Sequence, residues 1–374
     1  MRSRMIIVGL MLVAASVVFA APPNAKPELP PQDAEVLRFV ARALPWHPTS
    51  NFKILSDDKQ MTPSGAFRLI QVERTGSQRL DGRTSLLIDE PGKAVWFGNI
   101  GRLPSKDVGA GVEELKAFVE VFIPDLLMKN MRMKVKVDWN VTKQGPSALL
   151  LFALDVDTGY GSFRRPGAVT ADGGLVLLGA PLPFDQDPVA YRRELFENSD
   201  TIMWDHENED AMVRIVEFSD FECPACRVKW PLIKSQIEKN PETVLHGMVN
   251  FPLPSIHPWA FRSASAAWCV SDMSPTLLPQ FKETFYSLQN DMELSLVTPT
   301  SVDYVIGHGL DEQQFLECYL KPVSLDAVHA QMAFGNALGI NSTPTYFVNG
   351  WMLLASDALT LDQLVKAMIA GEEP

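Results

Sequence analysis

The pair Cys223-Pro224-Ala225-Cys226 constrains this chain more than any other feature. It follows Val213–Phe218 (VRIVEF), an apolar run that reads as a buried strand, through Ser219-Asp220-Phe221-Glu222. It opens a helix-like segment, Cys226–Ile237. A Cys-x-x-Cys pair at a strand-to-helix junction has a mechanism. The first sulfur lies at a helix N-terminus, where unpaired N–H groups and the helix dipole favour a thiolate. Such settings lower a thiol pKa to roughly 3.5–7.5 from about 8.5. Cys223 is then the exposed, attacking sulfur, and Cys226, one turn in, is the resolving sulfur that releases a mixed disulfide. Pro224 suits the first helical turn because it has no N–H to leave unpaired. Two other uses of the pair stay open. Half a zinc site needs two more Cys or His ligands, usually a second close pair, whereas Cys269 and Cys318 are single and far apart. A plain structural disulfide is the other.

The chain has 374 residues, which suggests two or three domains. Acidic residues outnumber basic ones 45 to 33, a formal charge of -12. Such a surface repels phosphate backbones and argues against a nucleic-acid partner. Met1-Arg2-Ser3-Arg4 is a short basic start, residues 5–20 are apolar and uncharged, and Val18-Phe19-Ala20 closes the stretch. Residues 1–20 therefore read as a signal peptide cleaved after Ala20, which implies export to the periplasm, an oxidising compartment. An uncleaved anchor is the alternative, but the stretch is short for a membrane span of about 20 residues.

Residues 33–104 and 112–183 read as two copies of one α+β unit. Each starts with an apolar-periodic helix, Asp33–Leu44 and Val112–Met128. In the first, strand-like runs follow at Phe52–Leu55, Ala66–Arg74, Thr84–Ile88 and Ala94–Phe97; in the second, at Arg132–Val141 and Ala148–Val156. Residues 85–104 and 168–183 then share strand, acidic-Gly turn, apolar strand, Gly and Leu-Pro. Residues 184–211 read as a linker with a short helix at Pro188–Phe196. Beyond it, residues 212–371 give strand, helix and strand (Thr243–Phe251), then helices at Pro258–Val270, Pro279–Leu288, Val302–His308, Glu312–Tyr319 and Leu325–Leu338. A hairpin, Thr345–Val348 and Trp351–Leu354 around Asn349-Gly350, and a helix, Leu361–Ile369, close the chain. The fold class is α/β, a thioredoxin-like order with a helical insertion.

Phe218-Ser219-Asp220-Phe221-Glu222-Cys223-Pro224-Ala225-Cys226 resembles the active-site signature of the DsbA-like branch of thioredoxin-fold oxidoreductases. Three further segments are similar to that branch: Phe251-Pro252-Leu253 with His257-Pro258 and the alanine-rich helix ending at Cys269; Gly309-Leu310-Asp311 with Phe315 and Cys318; and residues 339–350, GINSTPTYFVNG. Together they cover residues 213–369 in the family's order. The front half resembles, more loosely, the cystatin-like N-terminal domain of the DsbC and DsbG isomerases, which dimerises those proteins and helps form a substrate cleft. Two copies in one chain depart from that pattern. A homodimer stays open, because the second copy could occupy the first copy's partner surface.

The resemblance implies roles for further residues. Thr343-Pro344 is expected to be cis and beside the reactive sulfurs, exposing the backbone of Thr343 to an extended substrate strand; an ordinary trans turn is the alternative. Glu217 lies on the strand before the pair, where thioredoxin-like proteins keep a buried acid. Burial raises a carboxyl pKa, which would make Glu217 a proton acceptor for Cys226; a solvated strand-edge glutamate is the alternative. Cys269 and Cys318 are expected to form a structural disulfide, with free buried thiols as the alternative. Asp205-His206-Glu207 with Glu209 and Asp210 could hold a metal, but reads better as a solvated acidic turn. His257 reads as a capping or packing residue. No metal and no cofactor are expected. The function implied is an exported thiol–disulfide oxidoreductase that forms disulfides in unfolded exported proteins and is reset by a redox partner. The alternatives are an isomerase or reductase, and a chaperone-like client-binding protein.

Overall fold

The computed structural model describes residues 31–374 except 63–64, 78–79, 99, 105–110, 129–132, 142–146, 209 and 354–357. The candidate signal peptide lies outside the described residues.

The front half repeats one order twice, a helix and then five strands. The first copy has α1 (Pro31–Ala43), β1 (Asn51–Thr62), β2 (Gly65–Thr75), β3 (Gly82–Asp89), β4 (Ala94–Phe97) and β5 (Ile100–Arg102). The second has α2 (Val112–Met128), β6 (Lys134–Asp138), β7 (Leu149–Asp157), β8 (Ser162–Thr170), β9 (Leu175–Leu178) and β10 (Leu182–Pro183). Neither copy keeps its last strand: β5 pairs with β9 and β10 pairs with β4, all antiparallel. The sheet orders are β1-β2-β3-β4-β10 and β5-β9-β8-β7-β6. The crossings start at matching glycines, where Gly98 N–H donates to Ser85 O (2.9 Å) and Gly179 N–H to Pro166 O (2.8 Å).

Successive strand residues point to opposite faces, so a sheet buried on both sides carries adjacent buried residues. Leu86 and Leu87 are such a pair, each 0% exposed. Leu86 joins Val36, Val40, Ile70 and Val72 under α1, while Leu87 joins Phe67 and Trp96 against Leu149, Ala168 and Leu177 of the second sheet. The second sheet places Phe152, Leu154 and Val169 under Leu115, Val119 and Ile123 of α2. Buried Asp89 ties the copies, accepting from Ser147 Oγ (2.6 Å) and Ala148 N (2.9 Å).

The back half carries a five-stranded sheet of order β11-β13-β12-β14-β15, with only the β12–β13 pair parallel. Its strands are β11 (Met203–Trp204), β12 (Val213–Ser219), β13 (Val244–Asn250), β14 (Thr345–Val348) and β15 (Trp351–Leu353). The helices are α3 (Pro188–Glu197), α4 (Pro224–Lys239), α5 (Ala260–Met273), α6 (Leu278–Leu288), α7 (Leu294–Gly307), α8 (Glu312–Tyr319), α9 (Pro322–Ala337) and α10 (Ala358–Ile369). One sheet face packs on α4 and α10 through Trp230, Ile233, Leu361 and Leu364; the other packs Val216, Phe218 and Phe347 on Phe196 of α3 and Phe334 of α9. Asn349 and Gly350, with φ of 46° and 85°, make the tight turn between β14 and β15.

Three details differ from the sequence pattern. Residues 184–211 do more than link: α3 buries Val189 and Phe196, and β11 extends the sheet. A two-residue strand is too short to show periodicity. α7 starts at Leu294, not Val302, and runs through Pro299, because Val297 and Ser301 are buried in the helical block and that packing outweighs the hydrogen bond a proline removes. Asp205 is no solvated turn residue: it is 6% exposed and bonded to His246. Among the described residues no cluster could hold a metal ion, and no helix is long and apolar enough to cross a membrane.

α1 is anchored to the back half. Buried Arg192 of α3 donates from Nη1 to Arg42 O (3.1 Å) and from Nη2 to Ala43 O (2.6 Å), the free carbonyls at the end of α1. Cys269 and Cys318 are joined in a disulfide that staples α5 to α8, with 5.9 Å between Cα atoms. It closes a loop of sequence separation 49, so removing it with the Cys269→Ala/Cys318→Ala pair is expected to lower stability by about 4 kcal/mol on loop-entropy grounds. A urea midpoint unchanged from the parent protein would contradict this.

Candidate active site

The sequence places the reactive pair by ending a buried strand and starting a helix within a few residues. β12 is buried from Ile215 to Ser219, and Phe221 anchors the turn among Phe281, Phe285 and Tyr286. Cys223 then caps α4 with extended backbone (φ -71°, ψ 116°), and Pro224 occupies the first turn. The Cys223 carbonyl accepts from Cys226 N (3.1 Å) and Arg227 N (3.3 Å).

Cys223 Sγ lies 3.5 Å from the carbonyl of Thr343, and the Thr343–Pro344 bond is cis. The structure therefore brings together Cys223, Pro224, Ala225, Cys226, Thr343 and Pro344. Both thiols are free. Cys223 is more covered than the sequence suggested, 6% exposed rather than open, because the 343–344 loop closes over it; Cys226 is fully enclosed. The two thiols titrate apart. The hydrogen bond from Cys226, helped by Thr343 and outweighing burial, brings Cys223 down to about 6. Burial, with the neighbouring Cys223 sulfur, pushes Cys226 well up. Near pH 7 one sulfur is a nucleophile and the other keeps its proton.

Glu217 is buried as expected, but its ionisation is the reverse of the expectation. Burial would raise its pKa, yet Lys282 and His246 hold it down at about 2. Lys282 Nζ of α6 is 2.5 Å from Glu217 Oε2, and His246 Nε2 of β13 is 3.2 Å from the same oxygen. His246 Nδ1 is 2.8 Å from Asp205 Oδ2. Burial works against protonated His246, but Asp205 and Glu217 lift it to about 9. Two carboxylates and two cations thus form a buried quartet beneath the pair. A carboxylate held this firmly in its ionised form is a poor proton acceptor, so Glu217 acts on Cys226 through its negative charge, which helps keep that thiol protonated.

A second network holds the turn before Cys223. The Asp220 carboxylate accepts from Glu222 N (2.8 Å), Leu253 N (2.9 Å) and His257 Nδ1 (2.6 Å). Glu222 Oε2 accepts from Trp259 N (2.7 Å) and Ala260 N (3.1 Å) at the start of α5. Gln289 Nε2 donates to Phe221 O (2.8 Å) and Cys223 O (3.1 Å). Burial, offset in part by those amides and His257, lifts Glu222 to about 7. His257 is therefore a clamp on the Cys223 turn. Sequence reasoning gave no role to Lys282, His246, Asp220, Glu222 or Gln289. The one local signal was the acidic pair flanking Phe221, too polar for a turn packed in aromatic rings unless its carboxylates had partners.

Residues 205–368 match the family model described as Thioredoxin. Among curated proteins, the Na(+)/H(+) antiporter NhaA 1 of Mycolicibacterium gilvum is 32% identical over 151 residues, 38% of this chain and 22% of that protein. The chain thus spans less than a quarter of that relative's length. Among solved structures, BdbD from Bacillus subtilis is 23% identical, covering 46% of this chain and 92% of that one with a TM-score of 0.39. The thiol-disulfide exchange protein alpha-DsbA2 from Wolbachia pipientis is 18% identical, covering 49% and 99% with a TM-score of 0.40. The sheet order, the helical insertion between β13 and β14 and the family match make the back half a thioredoxin-fold domain.

Proposed function

We propose that this chain is an exported enzyme that forms disulfides in client proteins through Cys223 and Cys226. The observation that carries the reading is the Cys223 sulfur, ionised near neutral pH, facing the Thr343 carbonyl with protonated Cys226 beneath it. In the oxidised enzyme a client thiolate attacks Cys223, forming a mixed disulfide and releasing the Cys226 thiolate, which takes up a proton. A second client thiol, losing its proton, displaces Cys223. The client gains one disulfide and the enzyme is left as a dithiol. A membrane or soluble redox partner must then accept two electrons and two protons to restore the pair. Stabilising the Cys223 thiolate favours the reduced enzyme and so makes the oxidised form a stronger oxidant, about 30 mV for each 1.4 kcal/mol. Isomerase and reductase action use the same chemistry in other directions. Export rests on the leader at residues 1–20.

The test is to mix oxidised enzyme with reduced, unfolded ribonuclease and count thiols on both partners by mass spectrometry. Each client disulfide gained should match one Cys223–Cys226 disulfide lost. If the oxidised enzyme exchanges nothing with client thiols, the reading fails.

A further inference from the structure

A cleft of about 300 Å3 opens where the two front-half sheets meet the loop that leads into Thr343-Pro344. Trp96 and Phe97 of β4 and Leu178 of β9 wall one side, and Asn341 and Ser342, both exposed, wall the other. Arg165 of β8 lines it as well. The cleft is therefore continuous with the loop over Cys223 and draws its wall from both front-half copies.

Arg165 is anomalous in a chain of charge -12. It is half-buried, yet among the described residues its guanidinium has no ion pair, hydrogen bond or stacked ring. Its neighbour Arg164, on the other face of the strand, is held by Asp138 (2.6 Å) and Asp155 (2.7 Å). Burial lowers the pKa of Arg165, with no acidic side chain placed to offset its charge. Nor is it needed to cap α9, which ends at the cleft: Leu338, Gly339 and Ile340 N–H groups already take the carbonyls of Phe334, Gly335 and Asn336. A desolvated cation without a partner is costly unless something outside the chain pairs with it.

We propose that this cleft is a subsite for the client chain, which receives an extended segment running on from the Thr343 loop and pairs one client carboxylate, from an aspartate or glutamate side chain, with Arg165. Such a subsite rests on the thiol-exchange reading of the Cys pair and adds a preference for cysteines that have an acidic neighbour in sequence. The apolar wall takes flanking side chains, and the charge-assisted bond sets the register of the segment.

The experiment uses single-cysteine peptides of one sequence in which glutamate or lysine is scanned over the roughly six positions on each side of the cysteine, since an extended chain advances about 3.3 Å per residue. The rate of mixed-disulfide formation with the oxidised full chain is read as the glutamate-to-lysine ratio, so a variant damaged in folding alters both rates alike. At one or two positions the ratio should reach roughly tenfold in the parent protein. It should fall to about one in Arg165→Met and invert in Arg165→Glu. A parent ratio near one at every position, or a preference that survives Arg165→Met, overturns the subsite. Fluorescence anisotropy of a labelled, cysteine-free glutamate peptide separates the two readings. Binding that depends on Arg165 without any thiol exchange overturns the exchange reading and leaves the subsite standing. Exchange without a charge ratio does the opposite.

Discussion

Cys223→Ala is expected to reduce disulfide transfer to a client peptide by roughly three orders of magnitude or more, to the uncatalysed rate. Cys226 does not rescue it. That thiol is fully enclosed, and burial, the largest cause of its raised pKa, still holds it protonated when the neighbouring sulfur is gone, so no client thiolate reaches it and no thiolate forms on it to attack. Cys226→Ala should behave differently. With Cys223 still ionisable, that variant should attack a disulfide-bonded client, release one client thiolate and keep the other client sulfur in a mixed disulfide it cannot resolve, a covalent adduct seen on gels run without reductant. Equal loss in both variants, with no adduct in the second, would contradict the division of labour between the two sulfurs. A Cys223→Ala variant as active as the parent would remove the enzyme reading and leave the client-binding one.

The second large effect lies beneath the pair. Lys282 is 1% exposed and Glu217 0%, so neither charge is tolerable there alone. Lys282→Met leaves Glu217 with His246, which is itself shared with Asp205. Removing one partner of a buried ion pair typically destabilises by about 3–5 kcal/mol. The expected result is a loss of that order in urea unfolding. The loss should be recovered in large part by Lys282→Met/Glu217→Leu, which removes both charges. A single variant within about 0.5 kcal/mol of the parent, the range of an ordinary surface change, would mean that the pair is solvated and that the quartet does not hold Glu217 ionised.

The two effects mark what a reader of the sequence could and could not find. The Cys pair, the proline at the first helical turn and the Asn349-Gly350 turn are local: each needs only its immediate neighbours to define its backbone. The helix and first four strands of each copy were legible in alternation and turn residues that recur in both; β5 and β10, three and two residues long, showed no strand pattern. The crossing of β5 and β10 was not legible, since a strand's own pattern does not say which sheet it joins. Glu217 shows the same limit in electrostatics. Its burial follows from its place in VRIVEF, but the sign of its pKa shift depends on Lys282, sixty-five positions away, and His246, twenty-nine away. Arg165 shows it too. Next to Arg164 in sequence the two arginines look alike, and only the packed sheets separate a paired surface cation from a lone one in a cleft.

The ionisation of Cys223 is measured most directly by the rate of iodoacetamide alkylation of the reduced protein as a function of pH, with the modified cysteine identified by mass spectrometry. Reaction at Cys223 should rise with a midpoint near pH 6, the value to which Cys226 and Thr343 bring it, while Cys226 stays unmodified. A midpoint at the ordinary thiol value of about 8.5, or preferential alkylation of Cys226, would contradict it.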